Sequence, residues 1–391
     1  MLGYLGGAEQ NVAHVARGLA ARGHQCSLAF AQVSPRDPEG YARLFQEVAP
    51  CRQLGGEGED WENLLARWRP EVIYLHKLER LPWSGFRPPL RAVRMVHDHD
   101  LCCPRRHKYY RLTGRVCHQR LHLRCWLALA FLGRGGLLGL TWNPILPRLR
   151  ELRRQQGLER LLVASVFMRQ ELIINGLDPG RVTLLPPVTP QVVADPAGPA
   201  AEPLVLYVGQ LIRGKGVDLL LRALARLGCP WRALLVGDGN HRPALERLAG
   251  DLGLGDRLAF AGWVPPERLA ECYAQARLLA VPSRWPEPFG MIGIEAMQHG
   301  LPVVGFAVGG IPDWLRHGVN GLLCPEQDVA ALAQALTRLL TDPGLARQMG
   351  REGRELALRE YAFNGCLDRL EAILAGAAPE TAGKDAPCGL A

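Results

Sequence analysis

Short apolar runs alternate with amphipathic segments along most of the chain. An apolar run bounded by Gly, Pro or Asp is typical of a strand that is buried on both faces of a parallel sheet. The segments between these runs repeat their apolar residues at helical spacing, as helices that cover a sheet do. The pattern therefore predicts an α/β protein in which strands and helices alternate. The predicted strands are Gln25–Ala31, Glu71–His76, Ala92–His97, Leu161–Phe167, Leu204–Val208, Ala233–Val236, Arg257–Phe260, Leu278–Val281 and Pro302–Phe306, and Gly318–Leu323 is predicted to be a strand–turn element.

A segment rich in Pro and Ala divides the chain, and it predicts an interdomain linker over residues 191–203. We expect one Rossmann-like domain over residues 1–190 and a second over residues 204–360. A helix over residues 361–375 follows. Residues 376–391 are rich in small residues and are predicted to be disordered.

The first amphipathic helix follows Gly6 and Gly7 directly. Two glycines before a helix allow the backbone to approach a phosphate or sugar closely, because no side chain stands in the way. A simple turn is the alternative interpretation. Such a loop normally follows a buried strand, and no strand pattern precedes this one. The first strand of the amino-terminal domain is therefore predicted to be absent from the sequence.

A second glycine-rich loop follows the strand Leu204–Val208. It runs from Gly209 to Gly216 and contains two cations, Arg213 and Lys215. Glycines and cations placed between a strand and a helix form a cradle for phosphate groups. The next strand ends at Gly237.

Two carboxylates lie in the stretch Pro282–Pro302, whose sequence is PSRWPEPFGMIGIEAMQHGLP. Glu287 lies in a Pro-rich loop, and Glu295 lies in a predicted helix from Gly290 to His299. If all residues between them were helical, the two would be about 12 Å apart, which suits the sugar and the ribose of a nucleotide-sugar. The helix N-terminus between them is suited to bind the diphosphate.

Glu287 and Glu295, with Pro-Phe-Gly after the first and Ala-Met…Gly-Leu-Pro-Val-Val after the second, resemble the signature of family 4 of the retaining glycosyltransferases. The resemblance covers nearly the whole chain and is strongest over Val205–Leu323. It implies the GT-B fold, in which two Rossmann-like domains face a cleft. The loop at Lys215 resembles the family's G-R-L-x4-K-G loop, except that Gln210 replaces the usual Arg.

The resemblance implies transfer of a hexose from a UDP- or GDP-linked sugar, with retention at the anomeric carbon and no metal ion. Glu287 would hold donor-sugar hydroxyls, Glu295 would hold ribose hydroxyls, and Lys215 would neutralise the departing diphosphate. His97, at the carboxyl end of a strand, would contact the donor sugar from the other domain. The implied catalytic residues are His97, Lys215 and Glu287, and the implied donor-binding residues are Gly6, Gly7, Gly209, Arg213, Lys215, Gly237, Phe289, Gly290, Met291 and Glu295.

Two other functions remain open. A nucleotide-sugar-binding protein without activity is suggested by Gln210 and by the predicted absence of the first strand. A GT-B phosphorylase would use phosphate as its acceptor. The complete Glu-Pro-Phe-Gly loop argues against an epimerase.

The composition is that of a globular protein, with 391 residues, 48% of them hydrophobic and 21% charged. Eleven cysteines without regular spacing, and no signal peptide, predict a cytoplasmic protein rather than a disulfide framework. The most apolar stretch, Trp126–Trp142, is too short for a membrane span and is interrupted by Arg134.

Positive charge is concentrated in residues 101–155, which contain 12 Lys or Arg and a single Asp or Glu. This segment is predicted to face an anionic partner, either a phosphate-bearing glycan or lipid-linked acceptor, or an anionic membrane surface beside Trp126–Leu146. A solvated basic loop and a core helix pair are the alternatives. No nucleic-acid-binding motif accompanies the charge. Polysaccharide or glycolipid biosynthesis is the expected setting.

A structural zinc site is the last alternative in this segment. Its Cys and His side chains include suitable zinc ligands, but no C-x2-C pair gives a diagnostic spacing, so buried thiols are favoured. Asp98 and Asp100 could also bind a metal ion, but the family resemblance implies that no divalent ion is needed. The candidate zinc ligands are Cys102, Cys103, Cys117, Cys125, His107, His118 and His122.

Overall fold

The computed structural model of the protein describes residues 1–3, 6–55, 57–110, 115–126, 132–134, 140–142, 145–189 and 198–377. The strands in these ranges are β1 (Ser27–Phe30), β2 (Glu47–Pro50), β3 (Ile73–His76), β4 (Ala92–Val96), β5 (Leu132–Arg134), β6 (Leu140–Trp142), β7 (Arg160–Val163), β8 (Val182–Leu184), β9 (Leu204–Val208), β10 (Arg232–Val236), β11 (Leu258–Gly262), β12 (Leu278–Val281), β13 (Val303–Phe306) and β14 (Gly321–Cys324). The helices are α1 (Gly7–Ala21), α2 (Pro38–Ala42), α3 (Trp61–Trp68), α4 (Ile145–Arg154), α5 (Val166–Ile174), α6 (Val217–Leu224), α7 (Arg242–Asp251), α8 (Leu269–Gln275), α9 (Met291–Gln298), α10 (Ile311–Trp314), α11 (Val329–Thr341), α12 (Pro343–Glu360) and α13 (Phe363–Ala375).

The carboxyl-terminal half is built on a parallel sheet of six strands in the order β11-β10-β9-β12-β13-β14. Every residue of β12 and β13 is buried, as expected for strands covered by helices on both faces. The strand order reverses between β9 and β12. Ligands of such sheets bind outside the carboxyl ends of the strands at this switch point.

The amino-terminal half contains a parallel sheet in the order β3-β4-β7-β8 and a separate parallel pair, β1-β2. Among the described residues, the first regular element is α1. Leu2 makes a single parallel bridge to Val33, beyond the end of β1. A cavity of about 800 Å³, lined by residues of α1, β1 and β3, lies between the two sheets.

The last helix packs against the first one. An added Cβ at Gly18 of α1 would lie 2.5 Å from Leu367 of α13, so the two helices are in close contact. Arg22 forms ion pairs with Asp368 and Glu371, both at 2.6 Å. The carboxyl terminus of the described chain is therefore attached to the amino-terminal half.

Several predicted elements differ from the observed ones. Strands β2 and β8 were not predicted, and Phe167 lies in α5 rather than in the preceding strand. One alternative for the stretch Trp126–Leu146 was a pair of core helices. It is wrong for residues 132–134 and 140–142, which the structure describes as the antiparallel strands β5 and β6. Most of the rest of that stretch lies outside the described residues, as do most of the predicted linker and tail (190–197 and 378–391). No helix in the described ranges has the length and apolar character needed to cross a membrane.

Candidate active site

A cleft of about 340 Å³ lies at the carboxyl ends of the strands of both halves. The loops that follow β9 and β12, the two strands at the switch point, form one wall. The loop before α1 and the end of β4 contribute from the opposite half. The cleft brings together most of the predicted site residues, namely Gly6, Gly7, His97, Gly209, Lys215, Gly237, Glu287, Phe289, Gly290, Met291 and Glu295.

An ion pair joins the two loops at the switch point. Lys215 Nζ lies 2.7 Å from Glu287 Oε1, and the Ser283 hydroxyl donates to the same oxygen at 2.6 Å. Burial alone would raise the pKa of Glu287, but the charge of Lys215 and these hydrogen bonds outweigh it and lower the pKa. Glu287 is therefore ionised at neutral pH and can accept hydrogen bonds from hydroxyl groups.

Close packing of the two loops depends on Gly216. Its φ of 67° lies in the left-handed region, and an added Cβ would lie 1.9 Å from the carbonyl oxygen of Pro282. No other residue type fits this position without moving the Glu287 loop. The glycine that ends the phosphate loop therefore also sets the distance between Lys215 and Glu287.

Arg213 is exposed and is not among the residues that line the cleft. It lies in a 3₁₀-helix that spans Arg213–Lys215, and only Lys215 reaches the cleft from that helix. The structure therefore does not bring Arg213 to the place of the missing cation. Arg284, which is buried, instead supports the loop by donating to the Arg213 carbonyl group at 2.9 Å and pairing with Asp218 at 2.7 Å.

Glu295 lies on the buried side of α9. The hydroxyl group of Tyr273 donates to its Oε2 at 3.0 Å. Burial raises the pKa of Glu295, and this hydrogen bond opposes the rise. Helix α9 begins only at Met291, so the separation expected for a fully helical path from Glu287 does not apply.

His97 follows β4 and lines the cleft from the amino-terminal half. Its Nε2 lies 2.8 Å from Nδ1 of His76, and the two rings stack with centroids 5.1 Å apart. Burial, followed by the effects of His76, Lys77 and Arg94, lowers the pKa of His97 well below its usual value. The ring is therefore neutral at pH 7 and can exchange hydrogen bonds with sugar hydroxyls.

The Gly6–Gly7 loop faces the other half of the molecule. An added Cβ would lie 3.7 Å from Gln210 Nε2 at Gly6 and 3.5 Å from Met291 Sδ at Gly7. The backbone N–H group of Gly6 donates to Glu9 Oε2 at 3.0 Å. The other oxygen of Glu9 pairs with Lys77 at 3.3 Å. Glu9 therefore fixes the loop that approaches the cleft.

Part of the positive charge of residues 101–155 is buried in the protein rather than exposed to solvent. Lys108 is buried and pairs with Glu171 at 2.8 Å, so it is neither a solvated cation nor a contact for an acceptor. Asp100 pairs with buried Arg94 at 2.8 Å. Within the ranges described, no three His, Cys, Asp or Glu side chains are grouped to hold a metal ion, and the cysteines there are free thiols.

The comparison with protein families agrees with this arrangement. The model described as "Glycosyltransferase Family 4" matches residues 5–189, and the model described as "Glycosyl transferases group 1" matches residues 193–356. The chain belongs to glycosyltransferase family 4. The two matches together cover both sides of the cleft.

Curated relatives of this family 4 chain include glycosyltransferases whose names contain inositol or phosphatidylinositol. The D-inositol 3-phosphate glycosyltransferase of Nocardia farcinica is 38% identical over 202 residues, 46% of this chain and 45% of that protein. The GDP-mannose-dependent alpha-(1-6)-phosphatidylinositol monomannoside mannosyltransferase of Mycolicibacterium smegmatis is 35% identical over 184 residues, 45% of this chain and 48% of that protein. These matches span about half the length of the relatives. The D-inositol 3-phosphate glycosyltransferase of Thermomonospora curvata is 28% identical over 96% of this chain and 91% of that protein.

Solved structures of similar fold cover nearly the whole family 4 chain. A protein of Anabaena in complex with UDP and glucose has a TM-score of 0.72 at 18% identity, covering 95% of this chain and 97% of that one. Sucrose-phosphate synthase of Thermosynechococcus elongatus has a TM-score of 0.72 at 24% identity, covering 94% and 92%. The fold is GT-B, as predicted.

The sequence analysis missed several residues in and around the cleft of this family 4 chain. Ser283 and Trp285 both precede the predicted carboxylate: Ser283 donates to it, and the ring of Trp285, which lines the cleft, lies 5.4 Å from Lys215 Nζ. Arg36 stacks on the ring of Trp263 at 5.3 Å, and both line the cleft. The position of His76 could have been inferred from the sequence, because it ends the predicted strand that neighbours the strand before His97. The contact between Arg36 and Trp263 could not have been inferred, because the two residues are distant in the sequence and meet only in the folded molecule.

Proposed function

We propose that this chain is a retaining hexosyltransferase that uses a UDP- or GDP-linked sugar and a glycan or lipid-linked acceptor. The observation that carries the proposal is the Lys215–Glu287 ion pair at the switch point. It joins a loop suited to phosphate with a carboxylate suited to sugar hydroxyls. The complexes of the Anabaena protein with UDP and glucose, and the GDP-mannose dependence in the name of the M. smegmatis relative, support both nucleotide classes.

The diphosphate would lie between Lys215 and the N-terminus of α9, where N–H groups and a cation favour negative charge. There it would compete with Glu287 for the ammonium group. Ser283 would keep the carboxylate hydrogen-bonded as Lys215 turns to the phosphate, since the hydroxyl already donates to it at 2.6 Å.

In the reaction, the bond from the anomeric carbon to the diphosphate breaks, and its electron pair leaves with the diphosphate. Lys215 would stabilise this charge without a metal ion. The acceptor oxygen forms the new bond to the anomeric carbon and gives its proton to an oxygen of the departing diphosphate. Glu287 and neutral His97 would hold the donor sugar, and Glu295 would hold the ribose. Glu287 acts in positioning, not as a nucleophile.

The acceptor is proposed to be a polyhydroxylated molecule in polysaccharide or glycolipid biosynthesis. The inositol-containing acceptors named for the relatives support this class. The protein is proposed to act in the cytoplasm, peripherally on an anionic membrane. Exposed Leu123 and Trp126, which lie within the basic segment, support this location.

Turnover of UDP-, GDP- and ADP-linked sugars tests the proposed activity. We expect the wild-type protein to hydrolyse or transfer from one donor series, and Lys215→Ala to reduce this activity by about 100-fold or more. Arg222→Ala, at an exposed position of α6, is the matched control and should retain activity. Retention of activity by Lys215→Ala would refute the assigned site.

A nucleotide-sugar-binding protein without transferase activity is the second candidate, because Gln210 lines the cleft where the family has a cation. Tight donor binding, measured by calorimetry, without turnover on any acceptor would favour it. Formation of a sugar 1-phosphate with inorganic phosphate as the acceptor would instead indicate a phosphorylase.

A further inference from the structure

The loop that carries Glu287 is held from both halves of the molecule. The His99 ring contacts the Pro286 carbonyl oxygen through Nε2 at 2.8 Å, and the Ser165 hydroxyl donates to the Pro288 carbonyl oxygen at 2.5 Å. Both side chains come from the amino-terminal half, directly after β4 and β7, and both are buried. The carbonyl groups on either side of Glu287 are therefore bonded to the opposite half.

The carboxyl-terminal half provides the other two bonds of this loop. The N–H group of Gly310 donates to the Glu287 carbonyl oxygen at 2.7 Å, and the indole of Trp314 donates to the Phe289 carbonyl oxygen at 2.6 Å. Four successive carbonyl groups, from residue 286 to residue 289, thus each accept a hydrogen bond. Since two of the donors belong to each half, the full set exists only when the halves are together.

The protonation state of His99 follows from its partners. A carbonyl oxygen can only accept, so Nε2 carries the proton. Nδ1 is buried and has no hydrogen-bond partner among the described residues, as expected for an unprotonated nitrogen. Burial lowers the pKa of His99 to about 4. The ring is therefore a neutral, fixed donor across the physiological pH range.

His99 also contacts Trp285, the aromatic residue of the Glu287 loop that lies beside Lys215. Its ring lies edge-on to Trp285, with centroids 6.0 Å apart, and Trp285 in turn lies against Lys215. One side chain of the amino-terminal half therefore touches both the backbone beside Glu287 and the ring beside Lys215.

We propose that His99 and Ser165 are positioning residues that place Glu287 for the donor sugar, so that the site is complete only when the cleft is closed. This inference rests on the proposed function of Glu287. Neither side chain lines the cleft, so each acts through the loop rather than on the donor.

The test compares truncating and conservative variants at each position. Glutamine at residue 99 carries an amide donor at a length similar to that of the ring, and threonine at residue 165 keeps the hydroxyl. Ser165 also caps α5 by accepting from the Met168 N–H group at 3.1 Å, and threonine can retain this cap. The variants are therefore His99→Ala, His99→Gln, Ser165→Ala and Ser165→Thr, with His317→Ala, at an exposed position, as the control.

We expect kcat to fall about 10- to 100-fold in His99→Ala and Ser165→Ala, because small displacements of a positioning group have effects of this size. The KM for the donor should change by less than about threefold, since Lys215 and Glu295 remain in place. His99→Gln and Ser165→Thr should recover most of kcat. Unchanged kcat in both truncations, or equal losses in the truncating and conservative variants, would overturn the proposal.

Hydrogen exchange provides a measurement that does not depend on activity. The amide of Gly310, which donates to Glu287, should exchange faster in His99→Ala than in the wild-type protein and His99→Gln. Unchanged exchange would also overturn the proposal. If the wild-type protein shows no turnover while exchange responds as expected, the proposed function fails and the interdomain contact stands.

Discussion

At the scale of single residues, the site depends on a carboxylate that stays charged inside the protein. Glu287 is 5% exposed and is balanced by Lys215 and Ser283. Removing one member of such a pair leaves a buried charge without its partner, which costs more than the pair contributes. Substitutions of Lys215 and Glu287 are therefore expected to affect the free energy of unfolding and the transferase activity in different ways.

Lys215→Met should lower the free energy of unfolding by about 1–3 kcal/mol, because Glu287 then lacks its cation. Adding Glu287→Gln should recover most of this loss but none of the transferase activity. Urea unfolding of the wild-type protein, Lys215→Met, Glu287→Gln and the double variant measures the stability changes, and donor turnover measures the activity. A double variant no more stable than Lys215→Met would show that the pair does not account for the loss.

Asp313 responds to pH in the opposite sense from Glu287. It accepts a hydrogen bond from the Val166 N–H group at 2.6 Å, yet burial raises its pKa to about 6. Between its usual pKa near 4 and about 6, the folded state binds more protons than the unfolded state. This group therefore makes the folded state less stable as the pH rises through that window.

Asp313→Asn keeps an oxygen acceptor for Val166 and removes the ionisation. We expect its melting temperature, relative to that of the wild-type protein, to increase from pH 4 to pH 6 and to level off above. Differential scanning calorimetry across this range measures the difference. A difference that does not vary with pH would exclude the raised pKa.

Residue patterns identified the ion-paired Lys215 and Glu287, but not the neighbours that set their charge states. Arg213 was predicted to contribute a cation and does not reach the cleft. A 3₁₀-helix has about three residues per turn, so side chains two positions apart point in different directions. The roles of Ser283, Trp285 and Glu9 depend on tertiary contacts, which no local pattern contains.

At the scale of elements, buried strands were predicted best. The bounds of β9 and β12 agree with the prediction, because a strand covered on both faces is an uninterrupted apolar run. Strand β2, with sequence EVAP, has only two apolar residues before its Pro and offers little pattern. Antiparallel β5 and β6 lie in a Gly-rich apolar stretch, where periodicity does not separate strand from helix.

Helix α9 packs closely against Trp314 of α10, because the residue of α9 that faces the indole ring is a glycine. An added Cβ at Gly293 would lie 2.1 Å from the Trp314 ring. Gly365, on α13, has open space at the same position. The two glycines therefore form a matched pair for substitution by alanine.

Gly293→Ala should destabilise the protein by about 1–3 kcal/mol and weaken nucleotide binding, because Trp314 or α9 must move. Gly365→Ala should be neutral or stabilising by up to about 1 kcal/mol, since alanine favours a helix. Thermal unfolding and calorimetry with UDP and GDP measure these effects. Equal stability of the two variants would contradict the packing described for α9.

At the scale of the whole molecule, positive charge is concentrated in one part of the chain. Residues 101–155 hold 12 Lys or Arg against one acidic residue, whereas the complete chain has a net charge of only +8, so the remaining residues together are slightly acidic. Leu123 and Trp126 are 60% and 45% exposed within this segment. Apolar and basic groups on one surface favour anionic bilayers over neutral ones.

We expect co-sedimentation with phosphatidylglycerol vesicles and little with phosphatidylcholine vesicles, and a decrease as salt is raised. Leu123→Ser should weaken the binding, whereas Leu358→Ser, at an exposed apolar position of α12, should not. Equal binding to both vesicle types would exclude an electrostatic contribution, and binding to neither would exclude the peripheral location.

Thr189, near the end of the described amino-terminal half, meets Tyr361, which precedes α13, at one point. The Thr189 hydroxyl lies 3.4 Å from the Tyr361 carbonyl oxygen, and the Gln298 amide donates to the same hydroxyl at 3.0 Å. Two connections that are held at one point are expected to allow the halves to rotate about Thr189 and to resist sliding. Residues farthest from Thr189 would then move most when the cleft opens.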